Sequence, residues 1–382
     1  MQLFFLYLAV WMLPVSSSVW WESDFNVGLS DLSLYFIVGL IAIFFLLSFC
    51  FTTTFNKPTQ VALLVKKLDR NKAIKFQINL CMIWYSFFIV EIFFSGGLPF
   101  FWSDGRTYVN FGIPTLHGLS NMIRCLIFAN ISIFVLVSFK PSKLLILSSL
   151  LPLMCALVLE QSRGAFLMTL CFAIPPIIIF KKISIVPLLK GIGLSICIFL
   201  ALAVTQFLRL SDDPLEELGD IYYLVTQDGQ TQKYLLDPVL FYIATPALNA
   251  GLNIDVAPVF DFNPRNTLIS LLPSVIRTKI METPDDLEDH YGKLISPTYN
   301  TTSFITPFVR DFGWGGASLI FCAFFFYCNY AFVRARYGSI KHLVQLGPLT
   351  LCLALSFFTS YLTSLVTIVY LLASGAIARR MS

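Results

Sequence analysis

Charged residues are scarce in this sequence. Asp, Glu, Lys and Arg make up only 13% of its 382 residues, whereas a typical soluble domain carries about 25%. Hydrophobic residues make up 57%, and the mean hydropathy is +0.77. A globular core of this size cannot bury so much apolar surface, but a lipid bilayer can surround it. The composition therefore excludes an ordinary soluble protein and predicts an all-α, polytopic integral membrane protein.

The sequence also lacks the motifs of several familiar sites. It has no P-loop, no glycine-rich dinucleotide motif and no Ser-His-Asp set, so neither nucleotide chemistry nor serine hydrolysis is indicated. The three histidines, His117, His290 and His342, are widely separated, which argues against a metal site. All nine cysteines lie in apolar segments, so no disulfide framework is predicted. We expect neither a metal nor any other cofactor.

Long apolar runs dominate what is present. A spanning helix needs roughly 20 apolar residues, and the runs that qualify are 2–20, 32–53, 76–95, 119–138, 144–160, 165–180, 184–208, 313–333, 343–358 and 361–377. The last two are continuous and together too long for a single crossing, so Thr359-Ser360 is predicted to be a turn. The sequence thus predicts about ten transmembrane helices, in residues 1–208 and 313–382, with one large periplasmic loop at 209–312.

Basic residues indicate the orientation, because short cytoplasmic loops of membrane proteins are enriched in Lys and Arg. If the N-terminus is cytoplasmic, the inner segments contain 16 of the 26 basic residues, and only Asp69 of the 22 acidic ones. These basic residues are Lys57, Lys66, Lys67, Arg70, Lys72, Lys75, Lys140, Lys143, Lys181, Lys182, Lys190, Arg334, Arg336, Lys341, Arg379 and Arg380. Ten crossings with both termini in the cytoplasm satisfy this pattern.

The outer turn from Glu160 to Gly164 carries Arg163. Arg163 could be a snorkelling side chain that pairs with Glu160, three residues before it. It could equally be an anion ligand, since Ser162 and Gly164 would let backbone amides at a helix N-terminus approach a phosphate. The residues alone leave both interpretations open.

Beyond its first residue, the predicted periplasmic loop contributes three further arginines: Arg265, Arg277 and Arg310. It also contains three amphipathic stretches: 214–226, 237–252 and 266–281. The second begins at Asp237-Pro238 and is predicted to be a helix lying on the membrane face. Any one arginine is explained as a surface charge near lipid headgroups. Four arginines that converge at the outer surface would suit a doubly charged anion, such as a lipid-linked pyrophosphate.

The candidates for acid–base chemistry are Glu91, Glu160, His290 and Asp311. Glu91 is equally explained as a buried acid satisfied by a neighbouring helix, and His290 as a solvated loop residue. Asp311 is equally well placed to cap the helix predicted to begin at residue 313.

Three features of the chain together point to a family. Ser162-Arg163-Gly164 lies in a turn between two mid-chain helices. Residues 237–250 contain Tyr242 and Pro246 in the predicted loop, and the loop closes with Asn300-Thr301-Thr302-Ser303 followed by Asp311-Phe312-Gly313-Trp314-Gly315-Gly316. These features resemble the Ser-Arg-Gly, the tyrosine-containing loop helix and the Asn-x-x-(Ser/Thr)…Asp-x-Gly-x-x-Gly signature of the Wzy-type O-antigen polymerases of Gram-negative envelopes. The helix count and loop position fit that family over nearly the whole length.

The resemblance implies a metal-independent glycosyltransferase of the bacterial inner (cytoplasmic) membrane, acting in lipopolysaccharide O-antigen biosynthesis. Such a polymerase moves a glycan from undecaprenyl pyrophosphate onto another lipid-linked repeat unit at the periplasmic face. The arginines that would neutralise the departing pyrophosphate are Arg163, Arg265, Arg277 and Arg310. Asp311 or Glu160 would accept the proton of the acceptor hydroxyl. The implied partners are undecaprenyl-pyrophosphate-linked oligosaccharides, membrane lipid and a chain-length regulator protein, and not nucleic acid.

Two other functions stay open at this point. An O-antigen ligase, which transfers the finished chain to the lipid A core, carries a His-Asn pair near the end of the loop, where this chain has Tyr299-Asn300. A polyprenyl-pyrophosphate oligosaccharide flippase would concentrate charge in a cavity between helices. Here the helices contain few ionisable residues, with Glu91 and Arg124 as the exceptions, and one outer loop carries 22 of the 48 charged residues.

Overall fold

A computed structural model of the chain describes residues 2–20, 28–55, 61–102, 110–137, 139–160, 162–180, 237–272, 276, 292–295 and 302–382. Helices account for 79% of these residues, and no strand occurs among them. The all-α fold class is therefore confirmed. The predicted helix at 184–208, the amphipathic stretch at 214–226, Arg277 and His290 lie outside the described residues.

The described helices follow the apolar runs closely. They are α1 (Gln2–Trp20), α2 (Asp31–Thr54), α3 (Val61–Lys67), α4 (Arg70–Ser95), α5 (Leu116–Leu136), α6 (Lys143–Met154), α7 (Arg163–Phe180), α8 (Asp237–Val256), α9 (Arg265–Ser270), α10 (Thr306–Arg336), α11 (Ile340–Ala354) and α12 (Leu365–Met381). A π-helical turn, Cys155–Leu159, extends α6, and a 3-10 turn, Pro99–Phe101, follows α4.

The lengths of these helices support a membrane protein. Five stretches are long and apolar enough to cross a bilayer: α1, α2, α4 with its 3-10 turn, α5 and α10. α6 with its π turn, α7 and α11 are apolar but shorter. The C-terminal run divides in two as predicted, because α11 ends at Ala354 and α12 begins at Leu365. The total of ten crossings and the side on which the loop lies stay predictions.

The chain forms two compact units. Unit 1 comprises Met1–Pro58, Gln232–Ala335 and Lys341–Ser374, and unit 2 comprises Thr59–Thr231, Arg336–Ile340 and Gly375–Ser382. Unit 1 therefore combines parts of all three segments into which the sequence was divided at residues 208 and 312. The loop helices α8 and α9 belong to it, together with the start of α10.

Aromatic rings form the core of unit 1. Phe44 of α2 stacks on Phe325 of α10 with ring centroids 4.3 Å apart, and Tyr7 of α1 packs edge-on against both rings. Trp11 Nε1 donates a hydrogen bond to Ser356 Oγ at 2.8 Å, which ties α1 to the turn after α11. These contacts hold α10 against α1 and α2, and thereby position the predicted site residues at its start.

α8 begins at Asp237, as the sequence indicates, but it does not lie on a surface. Residues 244–250 are buried on every face, and α8 packs against α1 and α2. A helix lying on the membrane face would leave one side exposed, so the predicted position is wrong for this helix. Small residues permit the close packing. A Cβ at Gly251 would lie 2.8 Å from Leu29 Cδ2, next to α2.

Short basic segments of unit 2 meet at one end. Lys67 Nζ donates a hydrogen bond to the Gly338 carbonyl at 3.2 Å, and Lys72 Nζ donates one to the Ser382 carbonyl at 2.9 Å. The three segments joined in this way are all predicted to be cytoplasmic. Their common location fits an even number of crossings between them, while the identity of that side stays a prediction.

Candidate functional site

The predicted site residues divide between the two units. Arg265, Arg310 and Asp311 belong to unit 1, whereas Glu160 and Arg163 belong to unit 2. Arg265 is the first residue of α9, and its side chain is exposed. Arg163 is the first residue of α7. The expected meeting of all four arginines therefore stays a prediction, and Arg277 falls outside the described residues.

Asp311 is a helix cap, but for a different helix from the one expected. α10 consists of two helical parts joined at Gly313, and the first N–H groups after this break, those of Trp314 and Gly315, donate to the Pro258 and Val259 carbonyls and not to Asp311. Instead Asp311 Oδ1 accepts a hydrogen bond from Asn266 Nδ2 at 2.7 Å, and Oδ2 accepts one from the Thr267 N–H at 2.5 Å. Both donors lie in the first turn of α9, and Asp311 is fully buried. Its observed role is to fix α9 against α10, and its role as a base stays a prediction.

The glycines after Asp311 allow two backbone segments to pair closely. At Gly313 the helical conformation of α10 is interrupted, with φ 69° and ψ 170°, which glycine adopts at little cost. The Trp314 N–H donates to the Pro258 carbonyl at 3.1 Å, and the Gly315 N–H donates to the Val259 carbonyl at 2.7 Å. A Cβ at Gly313 would lie 2.5 Å from Pro258 O. The N–H groups that follow the break are thus bonded within the protein.

Two asparagines one turn apart on α8 fix a short loop segment. Asn253 Nδ2 donates to the Lys293 carbonyl at 2.9 Å, and Asn253 Oδ1 accepts from the Lys293 N–H at 3.0 Å. Asn249 Oδ1 accepts from the Ile295 N–H at 2.8 Å. Both asparagines are almost fully buried, where an amide needs such partners. Residues 292–295 are therefore held rigidly against α8.

A cationic cavity of about 240 Å³ lies next to this segment. Lys293 and Arg310 supply its charge, and no carboxylate is found among the described residues that line it: Asn253, Val256, Ala257, Pro258, Gly292, Lys293 and Arg310. Gly292 makes space for Arg310, because a Cβ there would lie only 3.0 Å from Arg310 Cδ. The volume is below the roughly 300–1,000 Å³ of pockets for drug-sized ligands. The cavity therefore suits a compact anion such as a phosphate or a diphosphate.

An apolar cavity of about 340 Å³ also involves the start of α10. Its walls include Phe308 of α10, Leu349 of α11 and Ile368 of α12. Phe308 lies two residues before Arg310, so the two side chains leave nearly opposite faces of the helix. The start of α10 thus contributes an apolar side chain to one cavity and a guanidinium to the other.

A buried ion pair in unit 2 gives Glu160 a partner other than the one expected. Arg124 Nη2 of α5 donates to Glu160 Oε1, and each side chain is only 1% exposed. Arg124 Nε and Nη1, together with Glu160 Oε2, have no hydrogen-bond partner in the part of the chain that the structure describes. Glu160 thus has a partner on a neighbouring helix, and its pairing with Arg163 stays a prediction.

A proline and a π-helical turn at the end of α6 come before Glu160, whose side chain contacts α5. Pro152 has no N–H to bond the Ser148 carbonyl one turn earlier, and Tyr85 Oη donates to that carbonyl instead at 2.7 Å. The π-helical turn follows, in which the Glu160 N–H donates to the Cys155 carbonyl at 2.9 Å. Such turns are rare and are often found at functional sites. This one leads directly into the first turn of α7.

The ion pair is one of two polar pairs that α5 forms with other segments of unit 2. Arg124 Cζ lies 5.4 Å from the centroid of the Trp84 ring, a distance at which the aromatic face attracts a cation. Two turns further along α4, Glu91 Oε1 lies 3.1 Å from His117 Nδ1. A residue at the start of the neighbouring helix α5 therefore contacts one oxygen of Glu91, as its structural interpretation anticipated, while Oε2 has no partner among the described residues. We call the set Glu91, His117, Arg124 and Glu160 the polar cluster.

Sequence reasoning missed several of these residues. It did not single out Lys293, Asn249 or Asn253, although two asparagines spaced by four in an apolar helix are a readable signal, because buried amides need partners. Arg124 was recognised as an exception among apolar residues. Its partner could not be identified, because Glu160 is 36 positions away in the sequence.

Comparisons of the chain with protein families, with curated proteins and with solved structures found no match.

Proposed function

We propose that the protein is an inner-membrane glycosyltransferase that joins oligosaccharide repeat units carried on polyprenyl pyrophosphate, as O-antigen polymerases do. The observation that carries this proposal is the pair of cavities at the start of α10, one cationic and one apolar. A lipid-linked donor combines a diphosphate with a long hydrocarbon chain and needs a place for each. The motif resemblances at 162–164 and 311–316 support the same function.

In the proposed reaction, a hydroxyl oxygen of the acceptor glycan attacks the anomeric carbon of the donor glycan. The bond from that carbon to the diphosphate oxygen breaks, and the polyprenyl diphosphate leaves as an anion. The hydroxyl proton passes to a base, for which Asp311 and Glu160 are the candidates. Lys293 and Arg310 would stabilise the negative charge that develops on the leaving group. The other proposed contributors to that stabilisation are Arg163, Arg265 and Arg277.

The polar cluster favours a second candidate function, a polyprenyl-pyrophosphate oligosaccharide flippase. Buried ionisable groups between membrane helices commonly mark a transport pathway, and the ion pair of Arg124 with Glu160 is such a pair. A flippase would translocate the lipid without forming a glycosidic bond. The two candidates therefore differ in their chemistry as well as in the location of their substrate.

A strain that lacks the gene separates these functions when its lipopolysaccharide is stained on a gel. Loss of a polymerase leaves the core with a single repeat unit. Loss of a ligase leaves the bare core, and loss of a flippase leaves lipid-linked intermediates on the inner leaflet. A normal ladder of long chains in the deletion strain would refute all three assignments.

A further inference from the structure

We propose that Arg124 is a positioning residue for glycan transfer, because its ion pair with Glu160 holds the turn Ser162-Arg163-Gly164 in its working conformation. This inference rests on the proposed function, in which that turn takes part. No motif contains Arg124, and only the folded structure connects it with the turn.

The ion pair is tightly constrained. Both side chains are 1% exposed, and the guanidinium also lies over the ring of Trp84, which is itself fully buried. Replacing a buried ion pair with apolar side chains of similar volume is often neutral or even stabilising. The stability of the fold therefore does not by itself explain why two charges occupy this position. An alternative explanation is that they specify one conformation of the backbone.

Backbone hydrogen bonds connect the pair with the turn. The Glu160 N–H donates to the Cys155 carbonyl, and the Ser162 N–H donates to the Ala156 carbonyl, each at 2.9 Å. Ser162 Oγ then accepts from the Ala165 N–H at 3.3 Å, in the first turn of α7. Glu160 thus lies between the π turn and α7, which begins with Arg163, and its ion pair fixes this point of the chain to α5. Its side chain has one partner among the described residues, Arg124.

Three variants of the full chain in lipid nanodiscs test the proposal. Arg124→Lys retains the positive charge but removes the planar guanidinium and its fixed set of N–H donors. In the double variant Arg124→Met/Glu160→Met the pair is replaced with apolar side chains. Gln77→Leu is the matched control, because Gln77 is a fully buried polar residue of α4 that bonds α5 and α6 through Ile127 and Ser149.

We expect the double variant to keep the wild-type unfolding midpoint, while the amides of residues 160–165 exchange hydrogen faster and kcat falls about 100-fold. We expect Arg124→Lys to lower kcat with KM and the pH profile unchanged. Gln77→Leu should lower the midpoint but keep the exchange of 160–165 and the kcat of the wild type.

Wild-type exchange and wild-type kcat in the double variant would overturn the proposal. A shifted pH profile in Arg124→Lys would also overturn it, because Glu160 would then itself be the group that transfers the proton. If the wild-type protein transfers no glycan, the proposed function fails. In that case the hydrogen-exchange result alone decides whether Arg124 holds the turn.

Discussion

The carboxylate of Asp311 accepts a hydrogen bond from the backbone N–H of Thr267, which lies 44 positions away in the first turn of α9. This contact fixes the short loop helix to the start of α10, where Arg310 reaches the cationic cavity. Two residues adjacent in the sequence therefore have different surroundings. The Asp311 carboxylate is fully buried and bonded to α9, whereas Arg310 lines a cavity.

Replacing Asp311 with Asn should destabilise unit 1. An Asn side chain has only one acceptor oxygen, so it can accept a hydrogen bond from either Asn266 Nδ2 or the Thr267 N–H. Its NH2 group would face the remaining donor. A buried N–H without a partner costs about 1–3 kcal/mol, which thermal or denaturant unfolding in detergent can measure. Asp261→Asn is the control, because Asp261 is exposed on the adjacent segment and should change the free energy of unfolding by less than about 0.5 kcal/mol. Equal losses in the two variants would contradict the cap.

Gly313→Ala should be more damaging. The backbone there has φ 69° and ψ 170°, a region that only glycine adopts readily and that costs other residues about 1–3 kcal/mol, and the added Cβ would lie 2.5 Å from Pro258 O. Gly39→Ala in α2 is the matched control, since a Cβ at Gly39 meets no atom within 4 Å. Alanine should stabilise that helix by about 0.5–1 kcal/mol. A similar unfolding midpoint in both variants would show that the break in α10 is not needed.

Lys293→Gln should weaken the binding of polyprenyl diphosphate. The side chain of Lys293 is exposed at the cationic cavity, so its loss should leave the fold intact. A charge-assisted hydrogen bond is worth about 1.5–3 kcal/mol, which corresponds to at least about 10-fold in the dissociation constant. Ligand-induced thermal stabilisation at several salt concentrations would measure it. The exposed Lys341, which is not among the lining residues, provides the control as Lys341→Gln; an equal loss there would exclude a specific site.

Arg163→Ala should abolish long glycan chains and leave the protein abundant in the membrane, if Arg163 neutralises the leaving diphosphate. A lipopolysaccharide gel of the complemented deletion strain shows the chain length, and an immunoblot of the membranes shows the abundance. A normal ladder of long chains would remove Arg163 from the site.

Arg277→Lys should reduce the activity more than its unchanged charge suggests. A lysine cannot reproduce the two parallel hydrogen bonds that the planar guanidinium makes to a phosphate. Glycan transfer by membranes that contain the variant is the measurement. Full activity would favour the alternative interpretation, in which Arg277 is a surface charge near lipid headgroups.

The described helices could largely be predicted from the sequence, because lipid requires long apolar runs with internally bonded backbones. The division of the C-terminal apolar run into α11 and α12 was also predictable, because the polar residues Thr359 and Ser360 interrupt that run. The start of α10 was not, because Thr306–Phe312 is held as helix by its surroundings and not by an apolar run. The packing of α8 was missed for a related reason, since Ala and Gly permit burial on all faces without adding much hydrophobicity.

The candidate site could be predicted less well than the helices. Short motifs directed attention to Asp311 and Gly313, but the contacts that these two residues make come from residues 258–267. The cationic cavity depends on Asn253, which fixes Lys293 across 40 positions of sequence. Such contacts depend on tertiary packing, and no local pattern of one sequence specifies them.

The break at Gly313 has an electrostatic consequence. A helix N-terminus carries roughly half a positive elementary charge on its free N–H groups, and many proteins use such an end to hold phosphate. Here the Trp314 and Gly315 N–H groups already donate to the carbonyls of Pro258 and Val259. These two N–H groups, at the start of the helix after the break, are therefore already hydrogen-bonded to the protein's own main chain. Neither of them is available to hold an anion at the break, and the capture of an anion at this end of α10 would depend more strongly on the side chains of arginine and lysine.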